Sequence, residues 1–198
     1  MASETSYRYL AVLDFEATCW DTNNEHEIIE FPTVIIDLDT NTVIDRFEQF
    51  VLPKNKPRLS EFCHNLTTIT QDQVNSGISL PEALKRHQQF MSKYPSSIFV
   101  TCGDWDLKTM LPMDAINHNI STPGMYRRWI NIKRVFDKFF GLKKSTSMIG
   151  MLSVVGLELE GTHHRGIDDC VNIARICCVI LNKGWNPSKE RLNAVLTC

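Results

Sequence analysis

Two acidic residues stand two positions apart at the end of an apolar segment, residues 9–17 (YLAVLDFEA). Side chains at positions i and i+2 of a strand point to the same face, so the carboxylates of Asp14 and Glu16 are predicted to project together. Two carboxylates on a buried strand repel each other and lose hydration, which calls for a cation beside them. For an isolated Asp-x-Glu pair, a strand end in solvent is the simpler interpretation.

Further candidate groups follow two later segments. Asp106 comes just after the β-rich residues 97–102 (SIFVTC), where an acid is often only a helix N-cap, a role that Asp104 could also fill. Residues 161–170 (GTHHRGIDDC) place a histidine five positions before an aspartate that opens an apolar helix. The helix dipole alone could explain that aspartate. A histidine in a polar loop, however, can exchange protons near neutral pH.

These groups together predict a centre for phosphodiester hydrolysis. Mg²⁺ prefers a few carboxylate oxygens together with substrate phosphates. Two such ions, ~3.5–4 Å apart, can stabilise the attacking and leaving oxygens, and a histidine can deprotonate the attacking water. Zinc is disfavoured because cysteine and histidine are not spaced as ligand pairs.

The bulk composition narrows the class of protein. A net charge of −2 over 198 residues argues against a protein that coats nucleic acid through a global basic field. Seven cysteines without a CxxC pair, and no apparent secretory signal, predict an intracellular protein, cytoplasmic and/or nuclear. No stretch is long and apolar enough for a membrane span. The basic residues 127–144 suggest phosphate contacts or, alternatively, an amphipathic helix with a solvated face.

The order of elements predicts an α/β fold with a mixed central sheet flanked by helices. Strands are expected at residues 9–17, 27–37, 42–52 and 97–102, and helices at 80–94, 106–111, 132–140, 147–155 and 168–183. Ser79 and Glu82 have the spacing of a capping box, and Pro95 is expected to end the first helix. The chain is interpreted as one domain, residues 1–198, with residues 1–7 and 185–198 as terminal extensions.

Several sequence blocks, in this order, resemble one enzyme family, the DEDDh three-prime exonucleases, and within it the enhanced-RNAi-type exoribonuclease branch. The resemblance covers residues 8–184. It rests on residues 11–19 (AVLDFEATC), 27–32 (EIIEFP), 98–112 (IFVTCGDWDLKTMLP), 129–133 (WINIK) and 163–176 (HHRGIDDCVNIARI). It implies a ribonuclease H-like fold and Mg²⁺-dependent 3′-to-5′ hydrolysis of RNA ends, with nucleoside 5′-monophosphates as products.

The same resemblance assigns roles to individual residues. Two Mg²⁺ ions, or Mn²⁺ in their place, would be bound by four acids, and the general base would be His164. The four acids are Asp14, Glu16, Asp106 and Asp169. Phe15, Ala17 and Thr18 would line the slot for the terminal nucleotide. Phe62 and Trp105 would pack against a base or sugar, although both are also plausible core residues. The expected partner is a single-stranded 3′ end of RNA, with DNA as an alternative, and no membrane.

Some alternatives stay open at this stage. His163 and Asp168 have the same spacing as His164 and Asp169, and the choice of the second pair rests on the small residue Gly166, two positions after His164. Thr68 stands where relatives carry glycine, which puts the geometry of that loop in question. A non-catalytic RNA-binding or scaffold protein and a ribonuclease H-type endonuclease are the competing functions.

Overall fold

The computed structural model describes residues 6–20, 26–143 and 145–194. Its strands are β1 (Tyr9–Leu13), β2 (Glu16–Ala17), β3 (Ile28–Asp37), β4 (Thr42–Phe50), β5 (Ser97–Thr101), β6 (Arg128–Asn131) and β7 (Asn193–Ala194). Its α-helices are α1 (Glu61–Thr67), α2 (Gln71–Asn75), α3 (Leu80–Met91), α4 (Leu111–Asn117), α5 (Ile132–Phe140), α6 (Met148–Val155) and α7 (Gly166–Asn182). A π-helical turn, Asp106–Met110, leads into α4, and 3₁₀ turns occupy Gly124–Arg127 and Pro187–Lys189.

The strands form one mixed sheet, as predicted. The order is β2-β3-β1-β5-β6-β7, with β4 also paired to β3. The β1–β5 and β5–β6 pairs are parallel, whereas the remaining pairs are antiparallel. Parallel neighbours end at the same edge of a sheet. The residues that follow β1 and β5 are therefore brought to one edge.

Helices cover both faces of the sheet, because the central strands bury alternate side chains on opposite sides. Leu10 and Val12 of β1 pack into a core with α5, α6 and α7. Ala11 and Leu13 pack on the other side, with α3 and the start of α4. Strand β3 is buried along its whole length, whereas β4 alternates between exposed and half-buried positions.

Several predicted boundaries were wrong. The first strand is interrupted, since β1 ends at Leu13 and β2 begins at Glu16. The capping box is absent, because the Ser79 side chain makes no capping hydrogen bond. Helix α3 ends at Met91, before Pro95 could terminate it. The short helices α1 and α2 and the short strands β6 and β7 were not predicted from the sequence, because they take their stability from neighbouring elements.

The last described residues belong to the sheet. Trp185 is buried, and β7 pairs with β6, within the segment predicted as a C-terminal extension. Residues 1–5 and 195–198 of the predicted extensions, and Lys144 of the basic segment, lie outside the described residues. Among the residues described, no helix combines the length and apolar character that a membrane span needs.

Thr68 ends α1 in the left-handed conformation, with φ 60°. Its backbone N–H donates to the carbonyl oxygen of His64, which closes the last turn of the helix. This is the backbone geometry that glycine adopts without steric cost and that a β-branched side chain disfavours. The threonine therefore keeps the turn but strains the backbone.

Replacing this residue with glycine is expected to stabilise the protein. Thr68→Gly removes a left-handed conformation that costs an L-residue about 1–2 kcal/mol, partly offset by the chain entropy of glycine. The free energy of unfolding should rise by about 1 kcal/mol, as measured by urea denaturation. The control is Thr70→Gly, at an extended N-cap with φ −87°, which should not stabilise. A loss of stability in Thr68→Gly would contradict the strain.

Candidate active site

Three carboxylates converge at the edge where β1 ends. Asp14 directly follows β1, Glu16 opens β2, and Asp169 lies in the first turn of α7. One carboxylate oxygen from each lies within 4.8 Å of the others. The predicted juxtaposition of Asp14 and Glu16 is present, although the strand between them is not continuous. Three distant parts of the chain thus supply one cluster.

Asp106 is tied to the same edge by the parallel pairing of β1 with β5. It opens the π-helical turn that follows β5, and its Oδ1 accepts a 2.9 Å hydrogen bond from the backbone N–H of Phe15. It is buried, and the N-cap position of its helical turn is occupied by Trp105 rather than by Asp106. Asp104 is not a cap either, because its side chain accepts hydrogen bonds from Trp129 and Arg134.

Crowding and burial shift the acids of this edge toward their protonated forms. Burial, followed by the charge of Asp14, raises the pKa of Glu16 to about 10. Burial and the charges of Asp106 and Asp169 raise the pKa of Asp14. Burial also raises the pKa of Asp106 to about 6, and the hydrogen bond from Phe15 limits that rise. The cluster is therefore short of positive charge.

Lys133 supplies part of the missing charge. It lies in the first turn of α5, whose N-cap Asn131 accepts a hydrogen bond from the Lys133 backbone N–H. Its positive charge lowers the pKa values of Asp14 and Asp106 against the effect of burial. Two other cations of the basic segment are paired elsewhere, because Arg134 bonds Asp104 and Lys138 bonds Glu190. The sequence placed Lys133 in a basic segment without indicating this contact with the acids.

Two histidines flank Asp169. The Nδ1 atom of His163 lies 3.2 Å from Asp169 Oδ1, and the His164 backbone N–H donates to Asp169 Oδ2 over 3.0 Å. The two imidazole rings stack with centroids 3.8 Å apart. His164 is exposed and adopts φ 66°, a left-handed conformation. Partial burial, then the neighbouring His163, lowers the pKa of His164.

Asp168 and Asp169 lie in the same helical turn, but their carboxylates have different neighbours. Asp168 Oδ2 accepts a 2.8 Å hydrogen bond from the backbone N–H of Thr162. A Cβ atom at Gly161 would lie 2.4 Å from the Asp168 carboxylate, so the loop packs tightly against it. Asp169 faces the acid cluster instead, and Asp168 joins none of the possible ligand groups found among the described residues.

Two half-exposed aromatic side chains lie on elements that contact the acid edge. Phe62 is 46% exposed on α1, and that helix is joined to β2 where Cys63 Sγ donates to the Ala17 carbonyl oxygen. Trp105 is 43% exposed and directly precedes Asp106. Trp105 also lines a cavity of about 280 Å³, together with His26, Thr109, Met110 and Met113. Neither ring is in the core, the alternative that the sequence left open.

Three residues beside the acid cluster have buried side chains, namely Phe15, Ala17 and Thr18. The Phe15 ring packs edge-on against Phe31, with centroids 4.7 Å apart. Thr18 Oγ1 accepts a hydrogen bond from the backbone N–H of Glu27, and Ala17 is 8% exposed. The side chains of Phe15, Ala17 and Thr18 are therefore held in place by packing and hydrogen bonding.

A second group of possible ligands lies at the start of β3. One ligand atom each from Glu27, Asp114 and His118 falls within 4.8 Å of the others. The Glu27 carboxylate, however, already accepts hydrogen bonds from three consecutive backbone N–H groups. Those donors belong to Lys54, Asn55 and Lys56. Glu27 therefore anchors a loop, and this group is a structural junction.

The acid edge fits divalent metal ions on the chemistry of its donors. It offers carboxylate oxygens from several elements, the ligand type that hard divalent cations prefer. Its raised carboxylate pKa values show that positive charge is lacking, and a bound cation would supply it. Asp14, Glu16 and Asp169 are already within ligand distance of a shared position.

Several known proteins with a similar sequence are named as exoribonucleases. The chain is 37% identical over 193 residues to "3'-5' exoribonuclease 1" of Mus musculus, which covers 92% of this chain and 56% of that protein. It is 38% identical over 187 residues to "ERI1 exoribonuclease 3" of Bos taurus, with 90% and 55% covered. The chain thus spans about half the length of these relatives.

A solved structure has a closely similar fold. It is the nuclease domain of 3'hExo, a DEDDh family member, bound to rAMP. The TM-score is 0.89 at 35% identity, over 96% of this chain and 98% of that one. The predicted ribonuclease H-like fold and the resemblance to DEDDh exonucleases are confirmed.

A family model described as "Exonuclease" (RNase_T) matches residues 11–177, which include all four acids and both histidines of the edge. Membership of this family, together with the carboxylate donors, implies dependence on a divalent metal ion. The match extends over most of the 198 residues. The chain therefore belongs to the RNase_T exonuclease family, and to its DEDDh members.

Proposed function

We propose that this protein is a Mg²⁺-dependent 3′-to-5′ exoribonuclease that removes nucleoside 5′-monophosphates from single-stranded RNA ends. The convergence of Asp14, Glu16 and Asp169, with Asp106 at the same edge, is the observation that carries this proposal. Several of its relatives are named as exoribonucleases, and the similar nuclease domain binds rAMP, a ribonucleotide of the class that this reaction would release.

The four acids are proposed as the metal ligands. Mg²⁺ ions, or Mn²⁺ in their place, held by Asp14, Glu16, Asp106 and Asp169 would supply charge that stabilises the attacking and leaving oxygens. The protein fixes this arrangement before substrate arrives. Asp106 is held by the Phe15 N–H, and Asp169 by the His164 N–H. Such preorganised groups need no rearrangement during the reaction.

His164 is proposed as the general base. One of its imidazole nitrogens would accept a proton from the attacking water. Its lowered pKa keeps the ring neutral, and therefore able to accept a proton, at neutral pH. Its side chain is exposed beside the acid cluster, whereas the His163 ring contacts the Asp169 carboxylate. His163 is then the residue that orients Asp169.

The aromatic side chains are proposed to hold the terminal nucleotide. Phe62 and Trp105 are exposed enough to stack on a base or sugar, an interaction that tolerates any sequence. The floor of the nucleotide slot would be formed by the buried residues Phe15, Ala17 and Thr18. DNA ends offer the same stacking faces and phosphates, so DNA is a second substrate to test.

The proposed activity is tested by degradation of end-labelled oligonucleotides. Single-stranded RNA should shorten from its 3′ end with Mg²⁺, and EDTA or a 3′-phosphate should block the reaction. Asp14→Asn should lower kcat by about 100-fold or more. The matched control is Asp168→Asn, an acid outside the cluster, which should keep its activity.

Two outcomes would contradict the proposal. Cleavage of a circular single-stranded RNA would indicate a ribonuclease H-type endonuclease, since an exonuclease needs an end. RNA binding without any metal-dependent cleavage would indicate a non-catalytic scaffold protein.

The two histidines are expected to differ in their effects. His164→Ala should reduce kcat at saturating RNA by about 10²–10⁴-fold, because the proton acceptor is lost. His163→Ala should retain most of the turnover, because Asp169 keeps its hydrogen bond from the His164 backbone. Single-turnover rates measure the difference. Equal losses, or a larger loss in His163→Ala, would reverse the assignment.

The stability of the metal-free protein should fall as pH rises. The folded-state pKa values of Asp106 and Glu16, about 6 and about 10, exceed the ordinary values of 3.8 and 4.5. The folded state therefore retains protons that the unfolded chain loses. The stability contribution is complete below pH 4 or so and is lost as pH rises through the folded pKa values.

Urea unfolding in EDTA at pH 5 and pH 8 measures this effect. Wild type should lose more stability between these pH values than Glu16→Gln, and Mn²⁺ added in excess of the EDTA at pH 8 should restore stability to wild type. A wild type that gains stability relative to Glu16→Gln over this range would show that the acids are not crowded.

A further inference from the structure

We infer that Glu30 is a positioning residue, which acts through Arg165 and the first turn of α7 to fix His164 and Asp169 against Asp14. This inference rests on the proposed function, because it concerns the same metal-binding edge. Glu30 lies outside the five residues proposed as ligands and base. It is an acidic residue near the start of β3, a fully buried strand, and its buried charge calls for a specific compensation.

The Glu30 carboxylate holds the start of α7. It is 0% exposed, and its Oε2 accepts a 3.0 Å hydrogen bond from the Gly166 N–H. Its Oε1 accepts a longer 3.3 Å hydrogen bond from the Ile167 N–H. The first N–H groups of a helix have no partner within the helix. Since the N-cap residue Arg165 makes no side-chain capping bond, Glu30 caps this helix from another strand.

Arg165 supplies the positive charge that compensates the buried Glu30 carboxylate. Its Nε lies 3.2 Å from Glu30 Oε1, and its Nη2 donates to Glu48 Oε1 over 2.6 Å. The guanidinium also sits over the Phe50 ring, 4.8 Å from its centroid. Arg165 directly follows His164 in the chain. The planar guanidinium can hold Glu30 and Glu48 together, which the single ammonium of lysine cannot match in geometry.

Close packing transmits this anchor to the acid cluster. A Cβ atom on Gly166 would lie 2.8 Å from the Asp14 carbonyl oxygen and 3.0 Å from Pro32 Cγ. The start of α7 therefore packs closely against Asp14, the residue that follows β1. His164 adopts a left-handed conformation, which persists only where the surroundings determine it. Asp169 lies one helical turn beyond this anchor, and its N–H donates to the Arg165 carbonyl oxygen.

The test compares Glu30→Gln with Glu48→Gln, which removes only the outer partner of Arg165. Calorimetric titration of Mn²⁺ without RNA reports the position of Asp169, and kcat and KM report the position of His164. Glu30→Gln should weaken Mn²⁺ binding about tenfold or more and lower kcat about 10–100-fold. Its KM should change by less than about threefold, since Phe62 and Trp105 are untouched, and Glu48→Gln should stay near wild type in every measurement.

A purely structural role predicts a different pattern. Glu30→Gln would then unfold at lower urea concentration, but its folded fraction would bind Mn²⁺ and turn over like wild type, which would overturn the inference. If Glu30→Gln does not fold, Arg165→Lys decides. A weaker Mn²⁺ affinity in that variant supports positioning, and an unchanged affinity overturns it. If wild type degrades no RNA, the proposed function fails, yet the Mn²⁺ comparison still decides this inference.

Discussion

The active edge of this protein imposes one constraint on the fold. Four carboxylates, which repel one another when ionised, must be held together at one edge of the sheet. Burial and mutual repulsion make this arrangement costly, as the raised pKa values of Asp14 and Glu16 show. The fold provides it through strand order. Because β5 runs parallel beside β1, the segments that carry Asp14 and Asp106 leave the sheet at the same edge. The first turn of α7 then brings Asp169 to that edge from the far end of the sequence.

The surrounding groups keep this edge rigid without neutralising it. Backbone N–H groups of Phe15 and His164 hold Asp106 and Asp169, and Lys133 adds one positive charge. Glu30 and Arg165 cancel each other's charge while holding the helix that carries Asp169. The carboxylates thus remain short of positive charge, which is the condition for strong binding of divalent cations.

Local patterns in the sequence predicted most of the strands and helices that define the architecture. Alternating and β-branched segments gave β3, β4 and β5, and the apolar periodicity gave α3, α5, α6 and α7 within a few residues. Elements stabilised mainly by their neighbours were missed, including β6 and the helix α1. The break between Leu13 and Glu16 could not be read from composition either. It depends on the Phe15 N–H turning toward Asp106, 91 positions further along the chain.

The residue types of the site could be predicted from the sequence, but the residues that hold them in position could not. Acid and histidine spacing, together with the family resemblance, indicated which residues belong together. Glu30 stood within one of the matching blocks, EIIEFP, yet its partner Arg165 lies 135 positions away. Such contacts between distant residues leave no periodic signal. The one hint was an acid within a strand that is otherwise nearly all apolar.

We propose that these carboxylates share a pair of metal ions. Anomalous diffraction from crystals soaked in Mn²⁺ with a short RNA carrying an uncleavable terminal linkage tests it most directly. Two Mn²⁺ peaks are expected ~3.5–4 Å apart, both within ligand distance of Asp14 and contacted by Glu16, Asp106 and Asp169. Well-ordered RNA with no Mn²⁺ peak between these residues would contradict it.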